Sequence, residues 1–281
     1  MTQPVTVLAV ENLFSIAQFP NHTIAAEEEA SGAEAFRVAN GRRSAGDYWT
    51  PPTANSDTWL KATCDQVRAA DFVALDRGHN LAGHTVRIDV SNDDFATYET
   101  AFSGVLPAVS MPGSLDDALG VRTEEGAWLK RFALRAGAYW RLFVPAMGAS
   151  LQPQVVGCWL GMAWELDRGL TLPVAPGGAD SIAVLVESAM GWQGRGRVTL
   201  RRAGTLTYRC ASEMEAEQAE YHLDGHFGLS RPTWVIYDTR RADRARLVTR
   251  TPDRLGGQYE QGWTDKQTYV LPYVEHEPKA A

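Results

Sequence analysis

Residues 84–91, His-Thr-Val-Arg-Ile-Asp-Val-Ser, alternate strictly between polar and apolar positions. Successive side chains of a strand point to opposite faces, so Val86, Ile88 and Val90 share one face and Arg87 and Asp89 the other. Asn92 and Asp93 then supply turn chemistry. Apolar runs at 58–63 and 71–76, rich in aromatic or β-branched residues, predict further strands. The aromatic-rich runs 127–135 and 138–144 predict a hairpin joined through Ala136-Gly137, since glycine accepts the positive φ of a tight turn. Residues 154–162 read as another strand, apolar through Val155, Val156, Trp159 and Leu160.

The pattern shifts after Trp164. Leu172-Pro173-Val174-Ala175-Pro176-Gly177-Gly178 opposes regular structure and suits a junction, which divides the chain into 1–165 and 166–281. Strand patterns follow at 182–187, 197–201, 205–210, 233–237, 246–249 and 268–274. One helix is predicted. Ser212 and Glu215 form a capping box, Glu213 and Glu217 suit its positive end, and Ala216, Ala219, Leu223 and Phe227 recur at helical spacing. Gly225 or Gly228 can end it, and 275–281 reads as a frayed tail. Many short strands with one helix predict a mainly β protein, a sandwich or barrel in each half.

Composition narrows the function classes. With 44% hydrophobic and 22% charged residues, a substantial core is expected and global disorder is not. A net charge of -7 opposes general nucleic-acid binding, which needs concentrated Lys and Arg. Arg240, Arg241, Arg244 and Arg246 cluster, but Asp243 interrupts them and a solvated face is expected. Residues 1–10 lack a signal-type segment, and no window has the 18 apolar residues of a membrane span. A soluble chain made in the cytoplasm is expected. Cys64, Cys158 and Cys210 include no C-x-x-C pair and read as small buried hydrophobes.

No coherent catalytic set emerges, so no enzyme is expected. G-x-S-x-G is absent, and the glycine-rich 191–196 stretch lacks a Walker lysine and lies between strands. Asp71, Asp76, Asp89, Asp93 and Asp94 fall at strand ends and turns, where solubility already demands carboxylates. His222 and His226 would share a helix face, but Gly225 interrupts them and no metal site is expected.

The order Asp47-Tyr48-Trp49, Trp59-Leu60-Lys61, residues 70–75, His79-Asn80-Leu81 and Val86-Arg87-Ile88 resembles galactose-binding-like, discoidin-type jelly rolls. Residues 139–144 are similar to a late strand of that fold, and 155–160 to its closing strand. In the second half, residues 231–238, 269–275 and Gly194-Arg195-Gly196-Arg197 resemble the closing part of phage distal-tail or minor-tail proteins with a tube-like domain. Those proteins typically begin with that domain, so a neighbouring tail-tip component is equally open.

Together the resemblances imply an N-terminal jelly-roll β-sandwich followed by a smaller tail-tube-like β-barrel domain with one helix. They imply a structural part of a phage tail tip or baseplate, made in the host cytoplasm and resident in the virion. Its partners would be other tail or baseplate proteins, in a homo-oligomeric ring built through strand edges. The alternative is a carbohydrate-binding adhesin or accessory module that recognises a surface glycan. Such jelly rolls bind ligands in loops at one end, which points to Tyr48, Trp49, Arg77, His79 and Asn80. The competing structural roles are that Trp49 covers the barrel end and Arg77 pairs with a carboxylate. No cofactor is implied. Structural calcium stays open, because oxygen ligands leave little trace in linear spacing.

Overall fold

The structure, a computed structural model, describes residues 5–39, 47–148, 150–166, 179–182, 185–187, 193–195, 199–210, 213–222, 232–250, 258–259 and 267–275. Over these residues the protein is mainly β, with two large antiparallel sheets, a two-stranded ribbon and one short helix. In chain order the strands are β1 (Thr6–Ala9), β2 (Thr23–Ala26), β3 (Thr58–Leu75), β4 (Thr85–Ser91), β5 (Glu99–Val105), β6 (Val121–Arg122), β7 (Trp128–Val144), β8 (Cys158–Gly161) and β9 (Trp164–Leu166). They continue as β10 (Ala179–Ile182), β11 (Leu185–Glu187), β12 (Gln193–Arg195), β13 (Thr199–Arg209), β14 (Pro232–Ile236), β15 (Arg246–Arg250), β16 (Gln258–Tyr259) and β17 (Gln267–Glu275). Helix α1 (Glu213–Ala219) lies between β13 and β14.

Two long strands organise the first sheet. β3 and β7 pair antiparallel from Thr58↔Val144 to Leu75↔Trp128, with register shifts between Thr63/Arg68 and Ala70/Phe72. Such irregularities bend strands, and these divide the pair into two parts. In the first part the order is β2-β3-β7-β4-β5. In the second, β8 joins residues 72–75 of β3 and β6 joins residues 128–129 of β7. Leu60, Ala62, Val86, Ile88 and Leu142 of the first part share a core with Val73, Leu75, Trp128 and Leu160 of the second. The two parts therefore face each other as layers of a sandwich.

The second layer is buried on its other side as well. Phe72, Ala74, Leu129 and Trp159 pack with Val7, Trp234, Ile236 and Leu247 of the second large sheet. That sheet runs β10-β13-β17-β15-β14-β1-β9. Its far side gathers Leu8, Leu206, Tyr208, Val235 and Val248 with Ala216 and Ala219 of α1. Neighbouring residues of one strand thus serve different cores, Val7 one and Leu8 the next, as the two-residue period requires. Among the described residues no further sheet packs on the outer face of β3, β7 and β4, where the connection between β4 and β5 lies instead.

Several expectations are corrected. β7 is continuous, so the predicted hairpin at Ala136-Gly137 is not formed. Gly137 has no positive φ; a Cβ there would come within 2.3 Å of Val90 Cγ2 and 2.8 Å of the Ser91 carbonyl oxygen. Glycine is needed for the close approach of β4 rather than for a turn. The runs at 58–63 and 71–76 are likewise two ends of the single strand β3. The second large sheet draws β1 and β9 from the first 166 residues, through pairs such as Val7↔Ile236 and Leu8↔Trp164. Over the described residues its strand path is open. The 172–178 junction, Ser212, Leu223, Phe227, His226 and the tail after Glu275 lie outside the described residues.

The arginine cluster is matched by carboxylates. Arg240 pairs with Asp238 and Arg241 with Asp243, each at 2.9 Å, while Arg244 and Arg246 approach Glu124 at 4.0 and 3.8 Å. Cys64, Cys158 and Cys210 are free and buried. No helix among the described residues is long and apolar enough to cross a membrane.

Candidate functional site

Register places three rows of side chains on the outer face of β4, β7 and β3. They read Arg87–Phe143–Trp59, Asp89–Arg141–Lys61 and Ser91–Tyr139–Thr63. Except for Asp89 and Ser91, which are buried, these residues are half-buried and alternate with core positions on their strands.

Asp89 organises the face. Its side chain has no exposure, and a buried carboxylate is costly unless its lone pairs are filled. Arg87 Nε donates to both oxygens at 2.9 and 3.1 Å, and Arg87 Nη2 donates to Oδ2 at 2.9 Å. Arg141 Nε donates to Oδ2 and the Thr100 hydroxyl to Oδ1, each at 2.9 Å. The hydrogen bond to Asp89 holds the Arg87 guanidinium above its ordinary pKa.

The connection after β4 folds over this face. Ser91 Oγ accepts from the backbone N–H of Asp93 at 3.1 Å and of Phe95 at 3.0 Å. Asp93 accepts from the Thr97 hydroxyl and backbone N–H at 2.7 and 2.9 Å. The bonds from Thr97 hold the Asp93 carboxyl below its ordinary range. Within this tight turn Asp94 and Phe95 take φ values of 53° and 66°. Those are left-handed conformations that cost energy in residues other than glycine, and such strain clusters where geometry matters. Two contacts follow from it: Asp94 Oδ1 accepts from Lys61 Nζ at 2.6 Å, and the Phe95 ring lies 4.3 Å from the Arg141 guanidinium carbon.

The result is an interleaved set of rings and cations. Arg141 also lies 4.8 Å from the Tyr98 ring and 5.4 Å from Phe143. Arg87 lies 4.4 Å from Phe143 and 5.2 Å from Tyr98. Lys61 Nζ lies 5.4 Å from the Trp59 ring. A shallow cavity of about 320 Å³ adjoins Tyr98, bounded by Ser91, Asp93, Thr97 and Ala136. Such a face offers ring surfaces for stacking and N–H donors for oxygen-rich ligands.

Of the five residues expected from the loops, Trp49 and Asn80 contact one segment, residues 152–155, and the contacts found for Trp49, Arg77, His79 and Asn80 are structural. Trp49 is fully buried, bridges Val155 and donates its indole N–H to the Glu28 carbonyl at 3.1 Å. Its ring lies within the core cluster, in keeping with the structural role weighed for it against a ligand contact. Tyr48, beside it in sequence, is half-buried. Arg77 pairs with Glu125 at 3.2 Å, the carboxylate partner weighed for it. Asn80 donates to the Gln152 carbonyl at 2.8 Å and accepts from the Gln154 N–H at 2.7 Å. His79 is buried and its Nδ1 accepts the Leu81 N–H at 3.2 Å. Burial, followed by the charge of Arg122, pulls its pKa down to about 4.

Trp59, Lys61, Phe95, Tyr98, Tyr139, Arg141 and Phe143 join this candidate site without having stood out in the sequence. A signal existed in Tyr139-Trp140-Arg141-Leu142-Phe143, where large and charged residues alternate, and in the polar face already assigned to Arg87 and Asp89. A wider cleft of about 580 Å³ lies elsewhere, lined by Asp71, Lys130, Arg131, Leu134 and Glu165 among others. There Arg131 bridges Asp116 and Glu165, and Lys130 Nζ donates to the Asp117 carbonyl at 2.8 Å, so its charged groups largely satisfy one another.

No family model and no curated protein matches the chain. Among solved structures it is similar to chitosan-binding module 1 of a chitosanase/glucanase from Paenibacillus sp. IK-5. That match has 18% identity, covers 53% of this chain and 98% of the module, and has a TM-score of 0.39. Module 2 of the same enzyme, in complex with chitotriose, matches at 16% identity, 53% and 99% coverage and a TM-score of 0.39. CpGH89CBM32-5 from Clostridium perfringens, in complex with GalNAc-β-1,3-galactose, matches at 13% identity, 52% and 99% coverage and a TM-score of 0.38.

Proposed function

We propose that the chain is a carbohydrate-binding protein whose jelly-roll portion recognises a surface glycan, as an adhesin or accessory module. The observation that carries this reading is the outer-face row Arg87–Phe143–Trp59, continued by Lys61, Arg141 and Tyr139. The C–H face of a pyranose stacks on aromatic rings, while its hydroxyls take N–H donors spaced around them. Phe143 and Trp59 lie opposite each other across paired strands and can supply adjoining ring surfaces. Being built on sheet rather than loop, they lose little freedom on binding.

The tail-assembly reading would instead cover this face with another subunit. A glycan array followed by titration calorimetry separates the two. Phe143→Ala and Trp59→Ala should each weaken glycan affinity by about tenfold, the scale of one aromatic contact. Circular-dichroism melts should confirm that both variants fold. A chain that binds no glycan, and forms a stable ring by light scattering, would replace this function with assembly.

A further inference from the structure

We propose that the glycan bound on this face carries a carboxylate, as in a uronic or sialic acid, held by the outward edge of Arg141 with Arg87 beside it. The inference rests on the glycan-binding reading and adds the class of sugar.

Arg141 spends only Nε on Asp89; neither of its Nη atoms takes part in a hydrogen bond among the described residues. Its side chain is nevertheless only 13% exposed. Three rings, those of Phe95, Tyr98 and Phe143, flank the guanidinium within 5.4 Å and hold its plane. The two outer nitrogens therefore form a fixed pair of donors rather than a mobile cation. Arg87 commits Nε and Nη2 to Asp89 and leaves Nη1 uncommitted in the same way.

Two guanidiniums share the single carboxylate of Asp89, and Lys61 is paired with Asp94 at 2.6 Å. The remaining carboxylate of the turn, Asp93, is committed to Thr97 and Ser91. The three cations and three carboxylates of this face balance, so what Arg141 offers an acid is a fixed pair of donors rather than surplus charge. A planar carboxylate accepts two parallel N–H bonds from one guanidinium edge, a match that a lone hydroxyl cannot make. Partial burial strengthens such a pair relative to bulk water. Asp89 is then a positioning residue, because it keeps two like charges together below the ligand.

The test is an array of acidic oligosaccharides containing galacturonate, glucuronate or sialate, each beside its own methyl ester, followed by calorimetry on the best pair. The acid should bind about tenfold or more tightly than its ester, and the preference should shrink as salt rises. Arg141→Lys keeps the charge but removes the paired donors, and should lose most of the preference while still binding the neutral ester, which shows that the variant is folded. If that variant misfolds, Arg87→Lys provides the same readout. Equal binding of acid and ester in every pair would overturn this inference and leave glycan binding intact. Binding of sulfated but not carboxylated sugars would also overturn it. Absence of binding to any sugar, neutral or acidic, would remove the function itself.

Discussion

Arg141 and Asp89 lie directly opposite each other in the β7–β4 register, and Arg141 Nε donates to Asp89 Oδ2 at 2.9 Å. Arg87 fills the rest of the same buried carboxylate, so one negative charge holds two positive ones in place. Asp89→Ala would leave the guanidiniums facing each other across a void. Breaking a buried charge cluster from one side costs about 3–5 kcal/mol, and urea denaturation should show a loss of that order. The double variant Asp89→Ala/Arg141→Ala should lose less than the sum of the single losses, because the groups act through each other. Strict additivity would show that the cluster is not coupled.

Gly137→Ala tests the continuity of β7. The added Cβ would meet Val90 Cγ2 at 2.3 Å and the Ser91 carbonyl oxygen at 2.8 Å. Ser91 presents backbone there, so β4 must shift or its pairing with β7 must loosen. A destabilisation of about 1–3 kcal/mol is expected, as for other overpacked positions, and would appear as a lower melting temperature. An unchanged melting temperature would mean that β4 does not approach this closely.

How much was legible in the sequence follows from what a two-residue period can say. It places Val86, Ile88 and Val90 in the core and Arg87 and Asp89 opposite them, and the structure agrees over β4. Nothing in that period says that Arg141 faces Asp89, or that Phe143 lies between Arg87 and Trp59, because register is a long-range property. The same limit produced the false hairpin. Glycine between two aromatic runs reads as a turn unless the strand crossing it is known, and that strand lies some forty-six residues earlier, at Ser91 and Val90. Trp49 could be read as core or as platform, and the sequence does not carry its burial, which is complete.

Trp49 makes that distinction measurable. Trp49→Ala removes a fully buried ring and its 3.1 Å bond to the Glu28 carbonyl. Truncating a buried aromatic to alanine costs about 3–5 kcal/mol. Stability should fall by that amount, while glycan affinity, measured by calorimetry where the variant is still folded, stays as in the parent. A folded Trp49→Ala variant with affinity reduced tenfold or more would return the site to the loop end of the sandwich.

His79 gives the chain a pH dependence whose sign can be worked out. Burial lowers its pKa from the ordinary 6.5 to about 4 in the folded protein, with Arg122 adding to the effect. Between those values the unfolded chain takes up a proton that the folded chain refuses. The stability contributed by neutral His79 is therefore complete above pH 6.5, falls as pH drops toward 4, and changes no further below that. Each pH unit inside the window is worth up to about 1.4 kcal/mol, so roughly 2 kcal/mol should be lost between pH 6.5 and 5. Most carboxylates titrate below this interval, which isolates the histidine. Urea midpoints measured from pH 7.5 to 5 should fall more steeply for the parent than for His79→Gln, which has no proton to take up. Parallel curves would show that the imidazole is charged in the folded state and that its surroundings at the end of the sandwich are wetter than its burial indicates.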